Sequence, residues 1–315
     1  MGVTRQDMFG PTADAEPASP GSYGERPAGY RLPDATRLGP VRLQIADLAR
    51  SIAYYERVLG LRVVAREPAG ATLGTQGEER TLVELRERRD ARPGGIGPHL
   101  GLYHFAILLP ERAALGRFAN HLERIGVRAG AADHLVSEAL YLHDPDGHGI
   151  EVYADRPRSA WRRVGRELMI ATDPLDAGEL SRAAGGIPWT GMPAGTVIGH
   201  VHLHVGGLEE ASRFFSDGLG FDRMTWRYPG ALFFGAGGYH HHLGTNTWAG
   251  PSAKPPAADE VRLIEWAIEL PDASSAENAA VSLGVQGYPV ERAAGGDVIA
   301  RDPWGTQVRL RVAGA

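Results

Sequence analysis

GPVRLQIADLARSIAYYERVLGL (residues 39–61) and GHVHLHVGGLEEASRFFSDGLGF (residues 199–221) are one pattern written twice, 160 residues apart. Each opens with alternating apolar and polar residues, which predicts a strand. Each continues with helical spacing and ends on Leu-Gly, at Leu59-Gly60 and Leu219-Gly220. Glycine there suits the left-handed turn that closes a helix. A second pair follows. LYHFAILLP from Leu102 matches LIEWAIELP from Leu263. Each of these strands precedes a helical stretch, a turn and a late strand. The turns are Asp144-Pro145-Asp146-Gly147 and Asp302-Pro303-Trp304-Gly305. Proline second and glycine fourth fit a β-turn.

The chain therefore reads as four units, at about 38–90, 99–155, 197–250 and 260–312. Each unit is a strand, a helix and several short strands, an α+β pattern. One helix cannot cover both faces of such a sheet. Two units must pair so that their curved sheets enclose a concave space. An N-terminal arm (1–37), rich in Gly, Pro and Ala, has little to bury and is expected to be extended and flexible. The first repeat pair spans 38–155, a linker 156–196, and the second repeat pair 197–315. A short helix is expected near Leu175–Ala184.

Composition narrows the chemistry. The chain has 315 residues, 43% of them hydrophobic and 23% charged, as in soluble globular proteins. Acidic residues outnumber basic ones by 38 to 33, so no global basic field favours nucleic acid. No apolar run has the length of a membrane span, and the first residues lack a signal-peptide pattern. A cytoplasmic protein with no nucleic-acid or membrane partner is expected. There are 12 His and no Cys. Disulfides, thiolate-bound metals and thiol nucleophiles are thus excluded. A transition metal would have to be held by His and carboxylate. No phosphate-binding glycine loop and no Gly-x-Ser-x-Gly elbow is present.

Four βαβββ units resemble the vicinal oxygen chelate superfamily, which includes glyoxalase I, fosfomycin-resistance proteins and type I extradiol dioxygenases. The likeness spans Gly39 to Val312 and is specific for the fold, not for the reaction. Ligands in such units lie on the first and last strands and face the concave space. Unit 2 offers His104 and Glu151. Unit 3 offers His200, which matches His104 in the repeat. Two imidazoles and a carboxylate form the facial triad of non-haem Fe(II) oxygenases, with Mn(II) as the alternative ion. Unit 1 has Pro40 at the position of His200. Unit 4 has Glu265 and Arg309 where unit 2 has His104 and Glu151. One metal site is expected, with Glu265 and Arg309 in polar contact in the second space.

This distribution bears on assembly. In two-domain extradiol enzymes units 1 and 2 pair, and units 3 and 4 pair, which would separate the three ligands. Either units 2 and 3 pair within one chain, leaving unit 1 with unit 4, or they meet across a dimer. The first needs no partner and is favoured; a homo-oligomer is allowed. Resemblance to catechol 2,3-dioxygenases further implies three catalytic residues. Tyr141, ten residues before Glu151, would bond a substrate or oxygen atom. His241, in Gly238-Tyr239-His240-His241-His242-Leu243, would be the acid/base. His134, before the Tyr141 strand, would bond the substrate. If residues 240–242 form a strand, His240 and His242 share one face and His241 the other, and a one-residue slip exchanges them. His202 and His204 should share a face with His200. His99, His121, His143 and His148 are expected to be solvated. The expected reaction is extradiol cleavage of a small aromatic diol by O2. The alternatives are a glyoxalase-like or thiol-transferring metalloenzyme, in which the His240–His242 segment would add a fourth ligand, and a non-catalytic protein that binds an aromatic ligand.

Overall fold

The computed structural model describes residues 2–10, 14–92, 99–293 and 295–313. Residues 1, 11–13, 93–98, 294, 314 and 315, parts of the expected arm and of the first and second halves, lie outside that set. Two eight-stranded sheets carry the molecule. Across the first, the order is Asp222–Thr225, Ala231–Gly235, Leu243–Asn246, Val197–His204, Gly101–Leu108, Gly149–Asp155, Ser137–His143 and Gly130–Asp133. Across the second it is Val290–Arg292, Val298–Arg301, Gln307–Val312, Arg262–Leu270, Arg37–Ile45, Thr81–Glu87, Gly70–Gly74 and Arg62–Glu67. The first sheet is unit 3 joined to unit 2, and the second is unit 4 joined to unit 1. Units 2 and 3 therefore pair within one chain. The halves 38–155 and 197–315 are divisions of sequence, since each sheet takes one unit from each half.

The join is the same in both sheets. First strands of two units run antiparallel at the centre: Val201 faces Phe105 and His202 faces His104, while Trp266 faces Val41. Within each unit the first strand pairs parallel with the last, as Phe105 with Ile150 and Val201 with Leu243. Parallel neighbours need a crossover, and each unit's helix supplies it. In unit 1, helix Leu48–Arg57 starts at Asp47, whose carboxylate accepts from the Arg50 N–H at 2.8 Å. It buries Leu48, Ser51, Ile52 and Tyr55, one face at a 3–4 spacing. Gly60 and Gly220 close the crossovers of units 1 and 3 at φ +72° and +93°, a region that favours glycine. The main hydrophobic cluster joins both sheets and their helices, from Leu43 and Tyr55 through Phe118 to Phe215 and Trp266. No described helix is long and apolar enough to cross a membrane.

The N-terminal arm is folded back, contrary to the extended, flexible tail expected. Thr4 caps helix Arg5–Phe9, and strand Glu16–Pro17 joins Arg162–Val164 and Glu167–Leu168 in a three-stranded sheet. Tyr23 donates to the Gly238 carbonyl at 2.7 Å, and Arg31 pairs with Asp222 at 2.7 Å. Its apolar residues are few and scattered, yet Ala18, Tyr23 and Leu32 are buried among them. The expected linker helix is Ala177–Ala183.

In the second sheet, Arg309 grips Glu265 through two bonds of 2.8 and 2.9 Å, and Arg42 lies 3.4 Å from the same carboxylate. The contact expected there is present, and the guanidinium sits where unit 2 has its carboxylate. Two of the histidines expected in solvent are buried instead. His121 and His148 each bond a backbone carbonyl, of Arg57 and Gln44.

Candidate metal centre

Three donor atoms meet at the centre of the first sheet. His104 lies on Gly101–Leu108, Glu151 on Gly149–Asp155 and His200 on Val197–His204. These three strands are adjacent, and their alternation turns each side chain to one face. His104 Nε2 is 3.0 Å from Glu151 Oε2, His200 Nε2 is 3.1 Å from it, and the two Nε2 atoms are 3.3 Å apart. All three side chains are buried.

This spacing fits a metal. For bonds of about 2.1 Å, donors at 90° on one octahedral face would be about 3.0 Å apart, and tetrahedral donors about 3.4 Å. The observed edges lie between, with two of the three near the octahedral value. Glu151 Oε1 and His200 Nδ1 are buried without hydrogen-bond partners. The Nε2 atoms of His104 and His200 and Oε2 of Glu151 converge on one point, where a divalent cation could be held. The protonation states agree. Burial alone would raise the Glu151 carboxyl, but the His200 and His104 imidazoles outweigh it and hold it well below its usual range. Burial pulls His200 down to about 4, partly offset by Glu151. A neutral imidazole and a carboxylate are the ligand forms a divalent ion needs.

Around this group lies a cavity of about 610 Å³. Tyr141, His134 and His241 line it together with the three donors, so the structure gathers all six singled-out residues at one place. Tyr141 stands beside Glu151 in the neighbouring strand. Its hydroxyl is 2.5 Å from His134 Nε2, and His134 Nδ1 is 2.7 Å from the Ala171 carbonyl. A carbonyl can only accept, so Nδ1 donates to it and Nε2 is left to accept from the Tyr141 hydroxyl. Burial first, then Glu151, raises the Tyr141 phenol well above its ordinary value and keeps it protonated.

Residues 240–242 lie in the turn between Ala231–Gly235 and Leu243–Asn246, not in a strand as the alternation argument assumed. Each histidine takes its own direction. His241 faces the cavity, its ring centroid 4.2 Å from that of His200. His240 stands behind it: its Nδ1 is 2.7 Å from His241 Nδ1, and its Nε2 is 2.8 Å from Asp155 Oδ1. His242 turns away and accepts from the Ala236 N–H. Burial, reinforced by His200 and His240, holds His241 well below its ordinary value and hence neutral. His202 and His204 also line the cavity, and His202 Nε2 is buried without a partner. No member of the 240–242 run joins the metal-capable group, which among the described residues is His104, Glu151 and His200.

Sequence reading missed Asp155, although strand alternation from Glu151 through Tyr153 places it on the same face. It also missed the outer wall of the cavity, formed partly by Gly2 and Val3. No local motif marks those two residues.

Comparisons with known proteins agree with this architecture. A Bacillus subtilis (strain 168) protein named catechol-2,3-dioxygenase is 43% identical over 260 residues, covering 81% of this chain and 90% of that one. The Serratia marcescens glutathione transferase FosA is 28% identical over 116 residues, covering 37% of this chain and 79% of the relative. Among solved structures, a Bacillus subtilis subsp. subtilis str. 168 protein provisionally described as a dioxygenase superposes with TM-score 0.65 at 15% identity, covering 91% of this chain and 87% of that chain. Glyoxalase I from Zea mays superposes with TM-score 0.52 at 20% identity, covering 88% and 92%. At those identities the superpositions speak for the fold alone. The sequence profile of the glyoxalase/bleomycin resistance protein/dioxygenase superfamily matches residues 37–152 and 197–310, one match in each half of the repeat. With four βαβββ units in two sheets and a His-His-Glu group at the centre of one of them, the chain belongs to that superfamily.

Proposed function

We propose that the chain is an extradiol ring-cleaving dioxygenase that uses O2 to open a catechol-type diol at a non-haem Fe(II) centre held by His104, His200 and Glu151. The observation that carries this reading is the near-octahedral triad beside a neutral His241, in a chain 43% identical to a protein named catechol-2,3-dioxygenase. Bound Fe(II) would supply Lewis acidity toward the diol oxygens and a redox path between ring and O2. Mn(II) accepts the same ligands.

The remaining work falls to the chain itself. Asp155 orients His240 by accepting from its Nε2–H. His240 Nδ1 then accepts from His241 Nδ1–H. That leaves the His241 Nε2 lone pair to take a proton from a diol hydroxyl as general base. Tyr141 donates to His134 and keeps a lone pair for a diol O–H. Phe233 and Tyr103, beside the histidines, help to exclude water.

Ferrous reconstitution without air, followed by catechol and air, should give O2 uptake and a yellow ring-opened product. Glu151→Ala should lose both iron binding and cleavage. Cleavage retained in that variant would refute the reading. A thiol-transferring or glyoxalase-like reading gains no support from a fourth protein ligand in the 240–242 segment. Iron-dependent cleavage would also set aside a purely ligand-binding role.

A further inference from the structure

The cavity extends well beyond what the metal-binding group and its acid/base residues occupy. Small-ligand pockets commonly span about 300–1,000 Å³. At about 610 Å³, this one leaves room beyond a single aromatic ring. Its outer part is walled by Val3, Ile170, Tyr228, Pro229, Phe233 and Trp248. No Lys or Arg is among the described residues lining the cavity, and its one carboxylate is Glu151. A ring substituent bearing a negative charge would enter without a cation to meet it, and burying an unpaired charge is costly. An alkyl or aryl group would instead cover apolar surface.

The N-terminal strap closes this wall and is built to stay there. Thr172 donates to the Val3 carbonyl at 2.7 Å, and the Val3 N–H donates to the Tyr228 hydroxyl at 3.2 Å. The Arg5 N–H donates to Asp173 at 2.8 Å. Gly2 lies so close to Thr172 that a Cβ would fall 2.3 Å from its Cγ2. Val3 and Met8 pack on the cluster that contains Trp161, Tyr228 and Phe233.

We propose that the substrate is a neutral catechol with an apolar substituent, and that the substituent lies against the wall closed by residues 2–9. The strap is thus a specificity element of the site. This inference rests on the dioxygenase reading, and the test separates the two. The probes are 4-propylcatechol, catechol and 3,4-dihydroxybenzoate, on the iron-loaded full chain, on Val3→Asp and on a chain lacking residues 2–9. Anaerobic dissociation constants and cleavage in air are measured for each. The full chain should favour 4-propylcatechol over 3,4-dihydroxybenzoate at least about tenfold in both measurements. The ratio of kcat/KM for 4-propylcatechol to that for catechol should fall about tenfold in both variants. If the shortened chain fails to fold by circular dichroism, Val3→Asp decides. Equal or better use of the carboxylated diol, or an unmoved ratio, overturns the inference and leaves the dioxygenase reading standing. The expected affinity order with no cleavage of any diol overturns the dioxygenase reading and leaves the pocket inference standing.

Discussion

At the scale of single residues, the centre is organised by which nitrogen carries a proton. Asp155 is partly exposed, His240 fully buried and His241 at the cavity, so a carboxylate near solvent is linked through His240 to a ring that faces the cavity. The roles of His240 and His241 can be separated. His241→Ala should lower kcat by about 10²- to 10⁴-fold, the usual contribution of a general base. His240→Leu should lower kcat by a large part of that amount, because His241 then loses the acceptor that holds its Nδ1 proton. His240→Gln, which can still accept through Oε1, should lose less. Iron content, measured by ferrous titration, should match the parent chain in all three, since neither residue belongs to the triad. An iron loss in His240→Leu equal to that in Glu151→Ala would show that His240 serves the metal and not the proton.

At the scale of elements, the repeat reaches into individual turns. Asp144 Oδ1 accepts from the Asp146 and His148 N–H groups at 2.9 Å each, and Asp302 Oδ1 accepts from Trp304 and Thr306 at 3.0 and 2.8 Å. Gly147 and Gly305 follow at φ +91° and +89°. The second turn carries a pH signature. Burial raises the Asp302 carboxyl from 3.8 to about 6, against backbone hydrogen bonds that lower it. The folded chain then holds this proton more tightly than the unfolded chain does. The stabilisation is fully present below about pH 4 and is lost as pH rises through about 6. Asp302→Asn keeps the acceptor and cannot ionise. Between pH 4 and 7.5 the parent chain should lose up to about 3 kcal/mol relative to this variant in urea unfolding. A pH-independent difference would show that the turn tolerates the charge. These turns, like the paired first strands, were legible because glycine at positive φ and alternating apolar residues leave marks in sequence. The His240–His242 segment was less so: alternation holds only in a strand, and this is a turn whose side chains point independently. The arm left little mark because its anchors are scattered single contacts, a backbone bond here and an Arg31–Asp222 pair there, with no periodic pattern.

At the scale of the whole molecule, the interleaving of halves makes the centre a long-range product. His104 and Glu151 come from the first half and His200 from the second, joined through the antiparallel pair Gly101–Leu108 and Val197–His204. Either half alone would expose that edge in both sheets, with buried residues such as Phe105, Val41, Val201 and Trp266 opened to water. Open apolar edges invite wrong pairing. Residues 1–165 and 166–315, produced separately, should aggregate or unfold without a cooperative transition. Neither should bind one equivalent of ferrous ion. Co-expressed, they should reassemble, co-purify one to one and regain that equivalent, because each sheet needs one unit from each piece and no covalent link between the pieces. Metal-binding energy adds to the stability of a site that exists only when both pieces are folded together. The thermal midpoint of the reassembled pair should therefore rise with both piece concentration and ferrous ion. A first half that folds alone and takes up ferrous ion at one equivalent would show that His200 is dispensable and that the sheet pairing is not what builds the centre.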